Sequence, residues 1–526
     1  MKKIIILWML MFMNIGMFAQ KPIIESGEEF KTSSGELFMK HLKQFNNGHY
    51  LLYGLDYMGY KDNKYSVTKI DNNLNFVSNE KLEVDGNNVS TIEPYTNGKS
   101  IIVPYFTEDE SKVELHLNIH DFEGKKLKTE TILNVNKISE HKVLSPEIIF
   151  SPDSSKLAII FAVGNNKIGK YIEYACVIDN NSSTKIWSKK LDYGNDNIVS
   201  FKSGLLNSGA LYSYSRKVTK GEELKKVGDT YEPNYENSIF FTEEKAPNPI
   251  KTTFNFDKDF IIDSKIISDK KGKLYFVGFW GIVNKKKMIF KGAFKIDLEE
   301  KGVIGNLKKL KFSDENLNKL NAFYVDDNVA SPVKSEFSPS CLELKDVIFN
   351  EDNSIDILSE KNYAQYFVRG AKPGQPFTGT TIVHYVSSDI IFIKMTPTFE
   401  LNEFFKIPKQ QDFVAKIATG YKTFKLNGER YFLYNELERN IKTNMQSVVQ
   451  VTNNATHKNS DLALVKINSK GDINGSIIIN DKQKDGKVFI PKYVYNLSEN
   501  VIFMALTKMK ILGKEEVVFY KITFPK

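Results

Sequence analysis

The chain is short of the residues on which several large classes of protein depend. Its 526 residues include only two cysteines and three tryptophans, and arginine stands only at Arg216, Arg369, Arg430 and Arg439. With Cys176 and Cys341 alone there is no zinc-spaced cysteine pair, no disulfide framework and no lipid-acceptor cysteine just after an apolar leader. Four arginines leave few positions for the bidentate phosphate and base contacts of nucleic-acid readers. The formal charge of +8 is spread thinly, because lysines and acids interleave along the whole length, so a solvated mixed surface is expected and no nucleic-acid partner. Phosphate-binding glycine loops, a Gly-x-Ser-x-Gly elbow and EF-hand spacing are all missing, and no cofactor or metal is expected.

Long apolar runs are missing too. Ile4 to Met13 is too short to span a bilayer, and nothing later approaches the roughly 18 consecutive apolar residues that a membrane helix needs, so no membrane insertion is expected. That first run follows Lys2 and Lys3 and precedes Ala19, the pattern of a secretory leader, although Met17 is larger than the residue usually found three before a cut. Residues 1–19 are therefore expected to be a signal peptide. Its removal takes Lys2 and Lys3 away and lowers the charge from +8 to +6. Export without an anchor points to the periplasm, with an extracellular location as the alternative.

What the chain has in quantity is a repeating turn. A β-type apolar run meets a tight polar turn and is followed by a second apolar run, and this happens eight times. The turns are Asn46-Asn47-Gly48, Thr96-Asn97-Gly98, Ser151-Pro152-Asp153 and Asn207-Ser208-Gly209 in the first half. In the second half they are Asp269-Lys270-Lys271-Gly272, Glu351-Asp352-Asn353, Leu426-Asn427-Gly428 and Leu497-Ser498-Glu499. Gly, Asn, Asp and Pro tolerate or preset the backbone angles of a hairpin. A second turn follows on an acid or amide, as at Asp71, Asp121, Asp179, Asp297 and Asn468, and leads to a fourth strand.

Four strands per repeat predict an all-β fold, a single large β-propeller of eight four-stranded blades, with seven blades as the alternative. Two tandem smaller β-domains would satisfy the same strand pattern. The eighth repeat stops one strand short, and the spare segment Ile23 to Phe30 is expected to add as its outer strand and close the ring.

One repeat resembles a known family. Ile149-Phe150-Ser151-Pro152-Asp153-Ser154-Ser155-Lys156-Leu157-Ala158 is similar to the Phe-Ser-Pro-Asp-Gly-x-x-Leu-Ala element of TolB-type, WD40-like propeller repeats, with Ser154 where that element has glycine. The resemblance covers about ten residues of one blade and implies propeller geometry without carrying an active site. Sialidase boxes, Trp-Asp dipeptides and tandem-glycine kelch patterns are absent. With only Trp8, Trp187 and Trp280, the tryptophan docking of quinoproteins is absent as well. These absences favour a non-catalytic protein.

Residues with chemical potential read mostly as structure. His116 and His120 lie about 13 Å apart along a strand at ~3.3 Å per residue, too far for one zinc ion, and alternation with Leu115, Leu117 and Ile119 marks a polar face. Cys176 in the third repeat and Cys341 at the start of the sixth fall on different sides of a ring, so free buried thiols are expected. Asp326-Asp327-Asn328 and Glu351-Asp352-Asn353 read as solvated turns.

Function is sought in the loops. If strands are lettered A to D in each blade, the B-to-C loops and the D-to-A connections share one rim. The enlarged segments 216–237, 359–380 and 436–459 are B-to-C, and 311–341 is D-to-A, so all four should project from that rim. They carry Tyr231 and Tyr235, then Tyr324 and Phe337, then Tyr363, Tyr366, Phe367, Arg369 and Phe377, and finally Arg439. Aromatics with an occasional arginine suit a protein interface, though the same rings could simply cap the channel. A short helix over Asp314–Leu320, capped by Ser313, could lid the channel mouth. The expected function is a protein-binding scaffold, an accessory subunit of an outer-membrane complex. The alternative is a glycan- or peptide-binding propeller, an enzyme included, with its ligand in the central channel.

Overall fold

Every turn of the first kind joins the first two strands of an antiparallel sheet, and eight such sheets follow one another as a β-propeller. The computed structural model describes residues 22–525, except 35, 46, 56–64, 86–88, 137–140, 166–169, 192, 194–201, 219–223, 228–229, 285–286, 322–341, 370–379, 414–417, 443–451, 454–459, 469, 481–486 and 509–513. In blades 1 to 8 the A strands are Glu36–Phe45, the broken pair Val89–Thr91 and Tyr95–Thr96, Lys142–Phe150, Lys202–Leu205, Phe260–Ser268, Leu342–Phe349, Lys422–Leu426 and Val488–Ser498. Neighbouring blades touch chiefly A strand to A strand, so these line the central axis.

The middle strands are buried on both faces. In blade 3, Lys156–Asn165 is apolar almost throughout because each face meets a different neighbour. Leu157, Ile159 and Phe161 pack on Phe106, Leu115 and Leu117 of blade 2, while Ala158 and Ile160 pack on Leu205, Leu211 and Phe240 of blade 4. One strand of period two thus divides its side chains between two cores. Outer strands such as Phe76–Leu82 are largely exposed.

Turn chemistry follows from backbone angle. The left-handed position is held by Gly98, Gly209, Gly272 and Gly428 in blades 2, 4, 5 and 7, by Asn353 in blade 6 and by Ser154 in blade 3. The second turns depend on an acceptor side chain. Asp121 Oδ1 takes the amides of Glu123 and Lys125 at 3.0 and 2.9 Å, and Asp179 Oδ1 takes that of Ser182 at 2.8 Å.

Closure is made by the chain's own N-terminal segment. Ile23–Ser26 pairs antiparallel with Thr523–Tyr520 of strand C, supplying the missing outer strand of blade 8, and Phe30–Ser34 continues along the same edge. Phe30 stacks on Phe519 of blade 8 at 5.3 Å and on Phe76 of blade 1 at 5.6 Å, and meets Tyr53 edge-on at 6.2 Å. The segment is therefore latched to both sides of the seam. Deeper in that seam Tyr495 donates to Met39 O at 2.7 Å, and His41 and His49 share a hydrogen bond at 3.1 Å with Phe503 packed on both.

Two expectations need correction, and a third holds in different surroundings. Asp314–Asn321 is a helix, and Ser313 Oγ accepts the Asn316 amide at 3.3 Å as its cap. It is no lid, however: Leu317 and Phe312 pack with Phe290 and Phe404 between blades 5 and 6, so the helix lies against the outer strand of blade 6. His116 and His120 do stand on a polar face of their strand, as expected, but that face is not open to water. Both are buried between blades, with His116 held by Thr107 at 2.9 Å and Thr131 at 3.0 Å and His120 by Gly124 O at 3.2 Å. Two of the enlarged segments, 216–237 and 359–380, are also largely strand over their described residues, as their geometry below shows. Cys176 is a buried free thiol that burial pushes up to about 12, and Cys341 lies outside the described residues.

Three outcomes follow. Ser154→Gly relieves a left-handed side-chain residue and should stabilise the protein by roughly 0.5–1 kcal/mol, read as a higher urea midpoint at unchanged slope; a lower midpoint would contradict the turn assignment. Phe30→Ala should cost about 2–3 kcal/mol, and a loss within ±0.5 kcal/mol of zero would show that the latch is idle. The third concerns acid. Burial and then His49 lower His41 to about 4, and burial and then Lys521 lower His49, both from the usual 6.5. A folded value below the unfolded one means that stability is full above about pH 6.5 and drains away as pH falls toward 4. His41→Gln should remove on the order of 2–3 kcal/mol of that loss, and an unchanged pH profile would refute it.

Candidate functional site

The B-to-C rim is built of strands that outgrow their blades. In blade 4, strand B reaches Val218 and strand C starts at Tyr235, and between them Leu224–Val227 and Thr230–Pro233 form a hairpin. That hairpin crosses to blade 5, where Thr230 and Tyr231 pair with Asn284 and Val283. In blade 7, Thr452 and Asn453 lie parallel to Gln411 and Asp412 on the outer strand of blade 6. Neighbouring blades are thus strapped together across this rim.

Blade 6 carries the largest excursion. Strand B runs Ile355–Arg369 and strand C runs Thr380–Met395, paired from Ile355↔Met395 out to Arg369↔Thr380. The A strand stops pairing at Leu342↔Lys361 and the D strand at Tyr385↔Phe413. Beyond those points a two-stranded ribbon outruns the strands on either side of it. What reads as a loop in the sequence is therefore largely a β-arm, because β-branched and aromatic residues such as Tyr366, Phe367, Val368, Ile382 and Val383 continue the ladder.

The arm has a rigid polar foot. Glu360 and Lys409 are both fully buried and ion-paired, and Lys409 also donates to Ser387 Oγ at 2.8 Å and Gln411 Oε1 at 3.0 Å. Gln411 Nε2 donates to Asn435 O at 2.8 Å, and Asn435 Nδ2 donates to Phe489 O at 2.7 Å, so the chain of bonds runs from blade 6 through blade 7 to blade 8. Burial alone would raise the Glu360 carboxyl, but Lys409 and Lys345 hold it below the ordinary carboxylate range. Burial lowers the Lys409 ammonium against the pull of Glu360. The geometry is that of an ion pair, and loss of either partner would leave the other buried without it.

The anticipated interface residues divide into groups. Tyr366, Phe367 and Arg369 lie on the arm and Tyr363 is half-buried at its foot. Tyr231 sits on the hairpin that crosses to blade 5. Tyr235 is packed instead into the seam between blades 4 and 5, edge-on to Phe260 at 6.3 Å with the Arg216 guanidinium 5.0 Å from its ring. Arg439 is exposed on the short helix Glu438–Ile441 of blade 7. Tyr324, Phe337 and Phe377, like Asp326-Asp327-Asn328, lie outside the described residues. Glu351-Asp352-Asn353 is a turn closed by its own atoms, with Asp352 Oδ1 accepting the Ser354 amide at 3.0 Å.

The inner A strands hold a feature that the turn pattern did not reveal. In most blades the A strand is bulged, and a charged residue stands at the bulge. Pairing slips before Lys40 in blade 1, Glu147 in blade 3, Asp263 in blade 5 and Asp346 in blade 6. In blade 8 Lys492 lies within the slip, and in blade 2 the strand breaks around Glu93. Lys202 and Lys422 open the A strands of blades 4 and 7. A bulge re-aims side chains locally. Here it brings charges of different blades together: Lys492 reaches Glu93 at 3.5 Å past blade 1, and Lys202 reaches Asp263 at 3.3 Å.

The opposite rim, formed by the short turns, holds two clefts. One of about 310 Å³ lies between blades 6 and 7 over the buried Asp356–Arg430 pair, and one of about 650 Å³ opens at the closure seam beside His49 and Lys521. Among the described residues no group of three or more His, Cys, Asp or Glu is placed to hold a metal, and no helix is long and apolar enough to cross a membrane.

These strands define the class as an eight-bladed β-propeller completed by its N-terminal strand. Residues 1–187 match the model of a family of unknown function, DUF6770. No curated protein matches the chain. Among solved structures it is similar to a protein of unknown function from Dyadobacter fermentans, at 7% identity over 73% of this chain and 96% of that one, with a TM-score of 0.32. It is also similar to the β-propeller domain of the trilobed protease from Pyrococcus furiosus, at 13% identity over 74% and 94% with a TM-score of 0.27. Prolyl oligopeptidase B from Galerina marginata is 8% identical over 92% of this chain and 55% of that one, with a TM-score of 0.39.

Proposed function

We propose that this chain is an exported, non-catalytic propeller of TolB-like repeat type that holds a protein partner on its B-to-C rim, as an accessory subunit of an outer-membrane complex in the periplasm. The observation that carries this reading is the arm of blade 6, a two-stranded ribbon that outruns the strands beside it and is rooted on a buried ion pair. A ribbon that outruns its blade can take a partner's strand through main-chain hydrogen bonds, and a two-stranded ribbon alone is marginal until something packs on it. A second reading, a ligand in the central channel, is favoured by the charged lining of the A strands.

The test must spare the foot, because Ser359, Glu360 and Lys361 are buried and their removal would unfold the blade. Residues 365–384 are replaced by Asn-Gly between the paired residues Ala364 and Tyr385. Crosslinking in intact cells followed by mass spectrometry should then lose the protein adducts seen with the full chain, while the melting temperature moves by no more than a few degrees. Adducts that persist in the shortened protein would reject the assignment.

A further inference from the structure

The seam between blades 6 and 7 carries a charged pair where comparable seams are apolar. At the starts of their B strands, blades 2 and 3 meet through Ile102 and Leu157, and blades 3 and 4 through Ala158 and Leu211. Blades 6 and 7 meet there through Asp356 and Arg430, both buried and joined from Arg430 Nη2 to Asp356 Oδ2. A buried ion pair adds little stability that apolar packing of the same volume would not supply, so its place in this seam calls for another reason. The cleft of about 310 Å³ opens over the pair and is lined by both side chains.

Arg430 is short of acceptors. Its guanidinium lies 5.7 Å from the ring centre of Phe392, and the one Asp356 oxygen is the only acceptor its side chain has among the described residues. Nε is buried without a hydrogen-bond partner. Lys425, exposed and also in the lining, bridges the two blades, but to a neutral oxygen, Asn350 Oδ1 at 3.2 Å. The acids of the lining are occupied by contrast. Asp356 holds Arg430, and Asp352 Oδ1 accepts the Ser354 amide at 3.0 Å and the Ser354 hydroxyl at 2.6 Å. Lys394, the remaining cation of the lining, pairs with Glu403 at 2.5 Å. The cleft is thus left with a surplus of donors, on buried Arg430 and exposed Lys425.

A buried donor short of acceptors is costly, and a carboxylate is the group whose paired oxygens match a guanidinium. Other classes fit the lining less well. A metal ion would meet Lys394, Lys425 and Arg430, and a doubly charged phosphate would be set beside Asp352 and Asp356. A sugar would find no ring to stack on, because Phe392, the one ring in the lining, is fully buried and stacked on Phe405 at 5.6 Å. We propose that this cleft binds a small carboxylate of a few carbon atoms, its anionic group received by Arg430 and drawn in by Lys425. The site lies on the turn rim, opposite the rim that bears the blade 6 arm, and stands apart from any partner held there.

The rarity of arginine supplies the readout. In protein labelled with heavy nitrogen at arginine, only Arg216, Arg369, Arg430 and Arg439 give Nε–H cross-peaks in a nuclear magnetic resonance spectrum, and the peak lost in Arg430→Lys is that of Arg430. If Arg430→Lys melts early, the same peak is assigned by elimination from the lysine variants of the other arginines. Succinate should move it saturably, while succinamide, its uncharged analogue, and inorganic phosphate leave it in place. By calorimetry Lys425→Met should weaken succinate by roughly three- to ten-fold, and Arg430→Lys, which keeps a charge beside Asp356 but loses the fork, by roughly ten-fold or more. The protein with the shortened arm should bind succinate as the full chain does, so that failure here is distinct from failure of the partner reading. A peak that succinate leaves unmoved, or that succinamide or phosphate moves as far, would overturn the proposal, as would succinate binding that neither variant weakens.

Discussion

A blade of this protein cannot bury its own faces, and everything else follows from how that problem is met. The apolar clusters belong to seams between blades, each seam taking alternate residues from a strand on either side, so no sheet is complete without two neighbours. A linear array would leave its first and last blades half uncovered. The ring removes both ends, provided that blade 8 and blade 1 are joined as firmly as the rest. The join is made by Ile23–Ser26 on strand C of blade 8, by the aromatic group around Phe30, Phe38, Phe503 and Phe519, and by neutral imidazoles at its interior.

A closed ring has two rims and an axis, and this chain spends its sequence differently on each. The turn rim is economical: side chains from one turn bond the next, as Lys43 to Gly98 O at 2.6 Å and Lys270 to Glu351 at 2.9 Å. The B-to-C rim is elaborate, with straps crossing from blade 4 to blade 5 and from blade 7 to blade 6. Straps and the buried polar chain through Glu360, Gln411 and Asn435 make the foot of the blade 6 arm one of the most tightly determined places in the molecule. A recognition element gains from such a foot, because a partner then need not bear the entropy of ordering it.

How much of this was legible depended on what each feature asks of the backbone. Hairpin turns need left-handed or preset angles, few residues supply them, and so the repeat and its closing strand could be read from Gly98, Gly209 or Gly428 and from Ile23 onward. Doubly buried strands announce themselves as unbroken runs such as Leu157–Val163. The arm was misjudged because Gln365, Arg369 and Thr380 interrupt the apolar pattern just where a ribbon leaves its blade and no longer needs one buried face. The channel ring was missed for a related reason. At a bulge the period of two is broken, so Lys40, Glu147 or Asp263 appears as an isolated charge in an inner strand, and only the pairing register relates it to its counterparts.

The most direct measurement is a crosslink across the ring's closure. Glu25 and Lys521 face each other in register and form an ion pair at 2.5 Å. Both are replaced by cysteine in a chain whose own Cys176 and Cys341 are changed to serine. Facing residues on antiparallel strands lie roughly 4.5–5.5 Å apart, within the reach of a disulfide. Mild oxidation of dilute protein should then yield an intramolecular disulfide nearly quantitatively, with a raised melting temperature. Free thiols, or disulfides formed only between molecules, would mean that the N-terminal strand does not close a ring.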